Sequence, residues 1–98
     1  MTKIESIKNI SNILVNALIV ANKTVAIAES CTGGLLASLI TDISGASEWF
    51  KQGWVVYSNE SKMRELGVEK SAFEDDSAGA VSHEVAVQMA RGARYQSD

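Results

Sequence analysis

Two short stretches of this 98-residue sequence concentrate side chains that can do chemistry. The first, Glu29-Ser30-Cys31-Thr32-Gly33-Gly34, offers a carboxylate, two hydroxyls and a thiol, then closes on two glycines. The second, Tyr57-Ser58-Asn59-Glu60-Ser61-Lys62, brings hydroxyl, amide, carboxylate and amine together. Breaking an acyl bond calls for an activated nucleophile, donors for an oxyanion and a proton for the leaving group. Ser30 as nucleophile and Lys62 as base would meet the first and last needs. The backbone N–H groups of residues 31–34 are candidates for the second.

Each of these residues also has a plainer reading. The glycine turn is neither a Walker A loop nor a G-x-S-x-G elbow, and a tight strand-to-helix turn would use the same small residues for close packing. Lys62 falls in the first turn of a helix, where the dipole disfavours a cation, the condition that a lysine base exploits. The competing fate is an exposed lysine with its head in water. Cys31 rivals Ser30 as nucleophile, with His83 the one histidine able to activate it. A small buried thiol and a solvent-facing imidazole are the alternatives.

The elements that must position these groups follow from local pattern. Thr24 to Ala28 is a short apolar run with β-branched residues, suited to a strand buried on both faces. Leu35, Leu36, Leu39 and Ile40 then recur at helical spacing, so that turn and helix occupy Glu29 to about Asp42. Trp49 to Tyr57 reads as a second strand, with Gly53 marking a bulge or close approach. A helix from about Asn59 to Leu66 is capped by Ser58 or Asn59 and stopped by Gly67. Upstream, Ile7, Ile10, Leu14, Ala17, Leu18 and Ala21 form one stripe of an amphipathic helix over Ile4 to Ala21, closed by Asn22 in a left-handed cap. Downstream, Ser82 caps a last helix with the stripe Val85, Ala86, Met89, Ala90 and Ala93, and a Val81–Ala86 staple is expected across its start. Trp49 and Trp54 read as packing residues, and a short strand at Gly79 to Val81 is a further candidate. The acidic run Glu74-Asp75-Asp76 lies in a solvated connection, with a metal site the weaker alternative.

If the two strands are parallel, both polar junctions lie at one carboxyl edge, where open α/β sheets bind ligands. Ser30 and Lys62 would then face each other. Two strands among four helices make an α/β sheet that looks unfinished.

Composition narrows the classes. Hydrophobic residues make up 46% of the chain, enough for a real core. A net charge of −3 argues against nucleic-acid binding by phosphate neutralisation. One cysteine excludes an internal disulfide and fits a reducing cytoplasm. The longest apolar run, Ile13 to Ala21, is interrupted by Asn16 and too short to cross a bilayer. A soluble cytoplasmic domain with no membrane partner is expected.

Four motifs now bear on family. A-E-S-C-T-G-G at Ala28–Gly34, T-D-I-S-G-A-S at Thr41–Ser47, Y-S-N-E-S-K at Tyr57–Lys62 and G-A-V-S at Gly79–Ser82 resemble the C-terminal domain of the CinA family, the nicotinamide-nucleotide amidase type. The resemblance covers nearly the whole chain and implies a three-layer α/β/α domain. It implies hydrolysis of the carboxamide of nicotinamide mononucleotide to nicotinic acid mononucleotide and ammonia, with no cofactor and no metal. By position it makes Ser30 the nucleophile, Lys62 the general base, and Tyr57 and Ser47 active-site partners. Glu29, Cys31, Thr32, Gly33 and Gly34 would surround the substrate, a pyridine nucleotide, and the family's habit points to a homo-oligomer. Family domains continue past the helix at Ser82–Arg94 into another strand and a T-G-x-A-G-P-x-G loop. This sequence holds no such loop and no proline, so a truncated domain is expected. Two rival readings remain: an inactive fragment that binds a nucleotide or a partner chain, and an unrelated phosphate-binding α/β module.

Overall fold

The computed structural model describes residues 2–74 and 81–97. Helix α1 (Lys3–Ala21) opens with a capping box, in which the Glu5 N–H donates to the Thr2 hydroxyl at 3.1 Å and the Thr2 N–H to the Glu5 carboxylate at 3.3 Å. It closes at Asn22 in the left-handed conformation, φ 55°. Strand β1 (Val25–Glu29), helix α2 (Leu35–Thr41), a 3-10 turn (Ala46–Glu48) and strand β2 (Phe50–Val55) follow. Helix α3 (Asn59–Leu66), a second 3-10 turn (Lys70–Phe73) and helix α4 (His83–Ser97) complete the described chain.

The two strands pair in parallel. The Val25 N–H donates to the Trp49 carbonyl at 2.8 Å, and the Val56 N–H to the Glu29 carbonyl at 2.9 Å. Val25 pairs with Phe50 but Ala26 with Gln52, so the bulge falls at Lys51, not at Gly53. Gly53 sits opposite Ile27, and a Cβ added there would only come into ordinary contact with the Phe50 ring and Ala37.

Side chains alternate across the sheet and feed a core on each face. Val15, Ile27, Ile40 and Trp49 close one core under α1 and α2. Val56, Leu66, Val68, Val85, Met89 and Ala93 close the other under α3 and α4, with Ala28 and Trp54 against it. The layering is therefore α/β/α. The α3–α4 contact depends on Gly92, because a Cβ there would overlap the Leu66 carbonyl. Trp49 is a packing residue, 1% exposed, and its indole Nε1 is buried without a hydrogen-bond partner.

Two sequence expectations are corrected by packing. In α1 the buried positions are Ser11 and Val15, while Ile7, Ile10, Leu14 and Ala21 of the expected stripe are exposed. A two-stranded sheet offers α1 too little surface to bury a full apolar face. Taken whole, α1 is also long and apolar enough to cross a membrane by length and composition, with mean hydropathy 1.3. Lys8, Asn9, Asn12 and Asn16 along it would be costly in hydrocarbon. At the start of α4, the Ser82 hydroxyl does accept from the Val85 N–H at 3.2 Å. The staple is missing, since Val81 is 80% exposed. The strand expected over Gly79 to Val81 and the acids Asp75 and Asp76 lie outside the described residues, apart from Val81 itself.

Candidate active site

The turn after β1 is held by its own carboxylate. Gly33 and Gly34 adopt φ 63° and 104°, a region open to glycine, and so bend the chain directly from strand into helix. This brings the start of α2 back over Glu29, which is 4% exposed. Its carboxylate accepts from the Thr32 hydroxyl at 2.7 Å, the Leu36 N–H at 2.8 Å and the Ala37 N–H at 3.0 Å. Burial raises the carboxyl pKa, but the bonds from Thr32, Ala37, Leu36 and Gly34 outweigh it and hold the value below the ordinary glutamate range. The anion-binding point at the start of α2 is thus filled from within the chain. Glu29 bonds within the turn.

Among the N–H groups of residues 31–34, that of Gly33 donates to the Ser30 carbonyl at 3.0 Å, and that of Gly34 faces Glu29. Cys31 and Thr32 keep amides that can serve an oxyanion. Ser30 is half-buried at the end of β1, while Cys31 is exposed, contrary to the buried thiol expected of a packing residue.

The second junction is built by α3. The Ser58 hydroxyl accepts from the Ser61 N–H at 3.1 Å, the N-cap expected from sequence. Lys62 lies one position further along and is 2% exposed. This overturns the reading of an exposed lysine with its head in water. Its side chain is enclosed by the protein rather than spread over the surface.

Parallel pairing puts the ends of β1 and β2 at one edge, as the spacing predicts. Ser30, Lys62, Glu29, Cys31 and Thr32 all line one open cleft of about 1370 Å³. Tyr57 belongs to the same edge but is 70% exposed and outside the cleft lining. Gly33 and Gly34 act through the backbone and do not line it. Ser47 is not brought to the site within one chain. It precedes β2, at the amino edge, and is exposed. A strand of this length separates it from Ser30 by roughly 16 Å at about 3.3 Å per residue. His83 is exposed at the first position of α4 and does not line the cleft. Among the described residues no group of three or more His, Cys, Asp or Glu side chains could hold a metal.

Sequence reasoning missed the other wall. Ala86 and Ala90 of α4 face the cleft and are exposed, whereas Val85, Met89 and Ala93 beside them are buried. Lys23, Arg91 and Arg94 also line it. The small residues recurring along α4 were the available signal.

Comparison with known proteins agrees with this architecture. The family described as CinA C-terminal domain matches residues 7–98. A CinA-like protein of Desulforapulum autotrophicum is 56% identical over 81 residues, which are 82% of this chain and 19% of that protein. The crystal structure of a CinA superfamily protein from Escherichia coli superposes with TM-score 0.88 at 33% identity, covering 100% of this chain and 56% of that one. A competence/damage inducible protein from Agrobacterium tumefaciens superposes with TM-score 0.84 at 38% identity, over 93% of this chain and 54% of that one. The chain thus spans about half the length of these solved relatives and about a fifth of the curated one. A turn built on A-E-S-C-T-G-G, a parallel strand pair and a buried lysine at its carboxyl edge are set in a chain that belongs to the CinA C-terminal domain family.

Proposed function

We propose that this chain carries the nucleophile-and-base half of a nicotinamide-nucleotide amidase, acting in the cytoplasm on nicotinamide mononucleotide. The observation that carries this reading is the convergence of half-buried Ser30 and buried Lys62 on one cleft at the carboxyl edge of the sheet. In the proposed reaction Ser30 Oγ attacks the carboxamide carbon while the Lys62 amine, as general base, takes the hydroxyl proton. The oxyanion faces the Cys31 and Thr32 amides. Collapse expels ammonia, which receives its proton from Lys62, and leaves a nicotinoyl ester on Ser30. Water attacks that ester, gives a proton to Lys62, and nicotinic acid mononucleotide departs as Ser30 is reprotonated. Glu29 keeps the turn, and so Ser30, in register throughout. The reading includes self-association, for which the uncovered isoleucines of α1 are the surface.

A second reading is favoured by the open cleft and by the 56% coverage of the Escherichia coli relative. On it, the chain alone is an inactive module that binds a nucleotide or a partner. The test is ammonia release from nicotinamide mononucleotide by this chain and by a full-length relative. Release by both supports an active chain, and release by the relative alone supports the inactive module. Release by neither refutes the amidase reading.

A further inference from the structure

The carboxylate that secures the turn also fixes what one cleft side chain can do. A threonine hydroxyl has one proton to donate and two lone pairs with which to accept. In Thr32 that proton is already placed, since Oγ1 donates to Glu29 Oε1 at 2.7 Å. The same Oε1 accepts from the Leu36 N–H, while Oε2 accepts from the Ala37 N–H. Glu29 is held below the ordinary glutamate range, so at neutral pH it is ionised and has no proton to give back. The direction of the bond between Thr32 and Glu29 therefore cannot reverse. Turning the hydroxyl toward a ligand as a donor would break a bond to a charged group, roughly twice as strong as one between neutral groups. What Thr32 keeps for the cleft is lone pairs.

Thr32 is placed to use them. It is exposed and lines the cleft together with Ser30 and Cys31. The Gly33 N–H donates back to the Ser30 carbonyl at 3.0 Å, so residues 30–33 form a closed turn whose end Cα atoms lie within about 7 Å of each other. A group attacked by Ser30 Oγ therefore has Thr32 as a near neighbour. Around one reacting carbon the turn presents two kinds of partner: the Cys31 and Thr32 N–H groups donate, and Thr32 Oγ1 accepts. A carboxamide matches that pair, because its oxygen accepts and its NH2 donates. A carboxylate does not. One of its oxygens can take the backbone N–H groups, but the other is set against a lone pair with no proton between them, and with the negative charge of Glu29 behind.

We propose that the Thr32 hydroxyl, its proton committed to Glu29, offers the cleft a hydrogen-bond acceptor alone, and so selects a carboxamide over the corresponding carboxylate. The inference rests on the amidase reading above and adds what orients the amide and what rejects the product. Thr32 Oγ1 holds the nitrogen that must leave as ammonia, while the carbonyl oxygen faces the backbone N–H groups, so the carboxamide has one productive orientation. Once hydrolysis has replaced that nitrogen by oxygen, the bond to Thr32 is lost and the acid is expelled. Thr32 is thus a specificity residue, and Glu29 is the positioning residue that acts through it.

The test titrates nicotinamide mononucleotide and nicotinic acid mononucleotide by calorimetry into the Ser30→Ala form of this chain, in which the nucleophile is gone. The equivalent form of a full-length relative carrying the same turn is titrated alongside. The amide should bind at least about tenfold more tightly than the acid. Adding Thr32→Val, which keeps the shape and leaves Glu29 its Leu36 and Ala37 donors, should bring the two affinities to within about twofold of each other. Adding Thr32→Ser instead, which keeps the hydroxyl, should preserve the preference. Equal affinities at the outset, a preference that survives Thr32→Val, or one lost equally in Thr32→Ser would each overturn the proposal while ammonia release by the unsubstituted relative leaves the amidase reading standing. Failure of both nucleotides to bind either protein, with no ammonia released by that relative, would overturn the amidase reading and this inference with it.

Discussion

Replacing Glu29 by glutamine tests whether the reactive turn is held by an internal carboxylate. The substitution keeps the side chain's shape and one carbonyl oxygen. It removes the charge and presents an NH2 where the Thr32 hydroxyl or the Leu36 and Ala37 N–H groups now donate. A hydrogen bond to a charged group contributes about 1.5–3 kcal/mol, and glutamine loses the equivalent of one, so the loss should be about 2 kcal/mol. For a domain of this size each kcal/mol moves the thermal midpoint by about 4–8 °C, which predicts a drop of roughly 8–16 °C at pH 7. Glu29→Ala, which abandons all three donors, should cost more. Because the folded-state pKa lies below the unfolded value, folding releases the proton and the stabilisation is complete above the ordinary glutamate range. It is lost as pH falls through the depressed folded value. Thermal unfolding of both proteins across that acid window should show the gap closing. A gap that stays constant into strong acid, or none at neutral pH, would refute the idea that charge at Glu29 secures the turn.

Three further outcomes are expected. Gly92→Ala should destabilise the chain by about 3 kcal/mol in denaturant unfolding, because the new methyl meets a backbone carbonyl that has little freedom to move; a loss under about 1 kcal/mol would mean that α3 and α4 slide apart easily. In a full-length relative carrying this turn, the changes equivalent to Ser30→Ala and Lys62→Ala should each remove several orders of magnitude of ammonia release, and that equivalent to Cys31→Ala should retain most of it. Equal loss at the cysteine would point to the thiol. The purified chain should show a thermal midpoint that rises with concentration and falls back when Ile10 and Ile13 of α1 are both changed to lysine, whereas a midpoint blind to concentration would mean a self-sufficient monomer.

Much of this architecture is legible along the sequence because it rests on local rules. Asn22 in its left-handed cap, Ser58 and Ser82 as N-caps, and the glycines after Ser30 answer to backbone preferences that a few neighbours decide. The two polar junctions could be placed at one edge because parallel strands admit no other arrangement. The burial of individual side chains was not legible in this way. The apolar stripe of α1 predicts a covered face, but covering it depends on how wide the sheet is, and two strands bury Val15 while leaving Ile10 in water. Lys62 carries the sequence mark of a surface residue and is enclosed by segments that only the tertiary fold brings around it. Glu29 looked like a group offered to a ligand, and the tertiary turn folds α2 back onto it. Ser47 shares a family motif with the site, yet parallel pairing sends it to the opposite edge. The residue pattern decided which elements form and where they start. Which side chains meet was left to packing between segments distant in sequence, where volume and the number of strands govern.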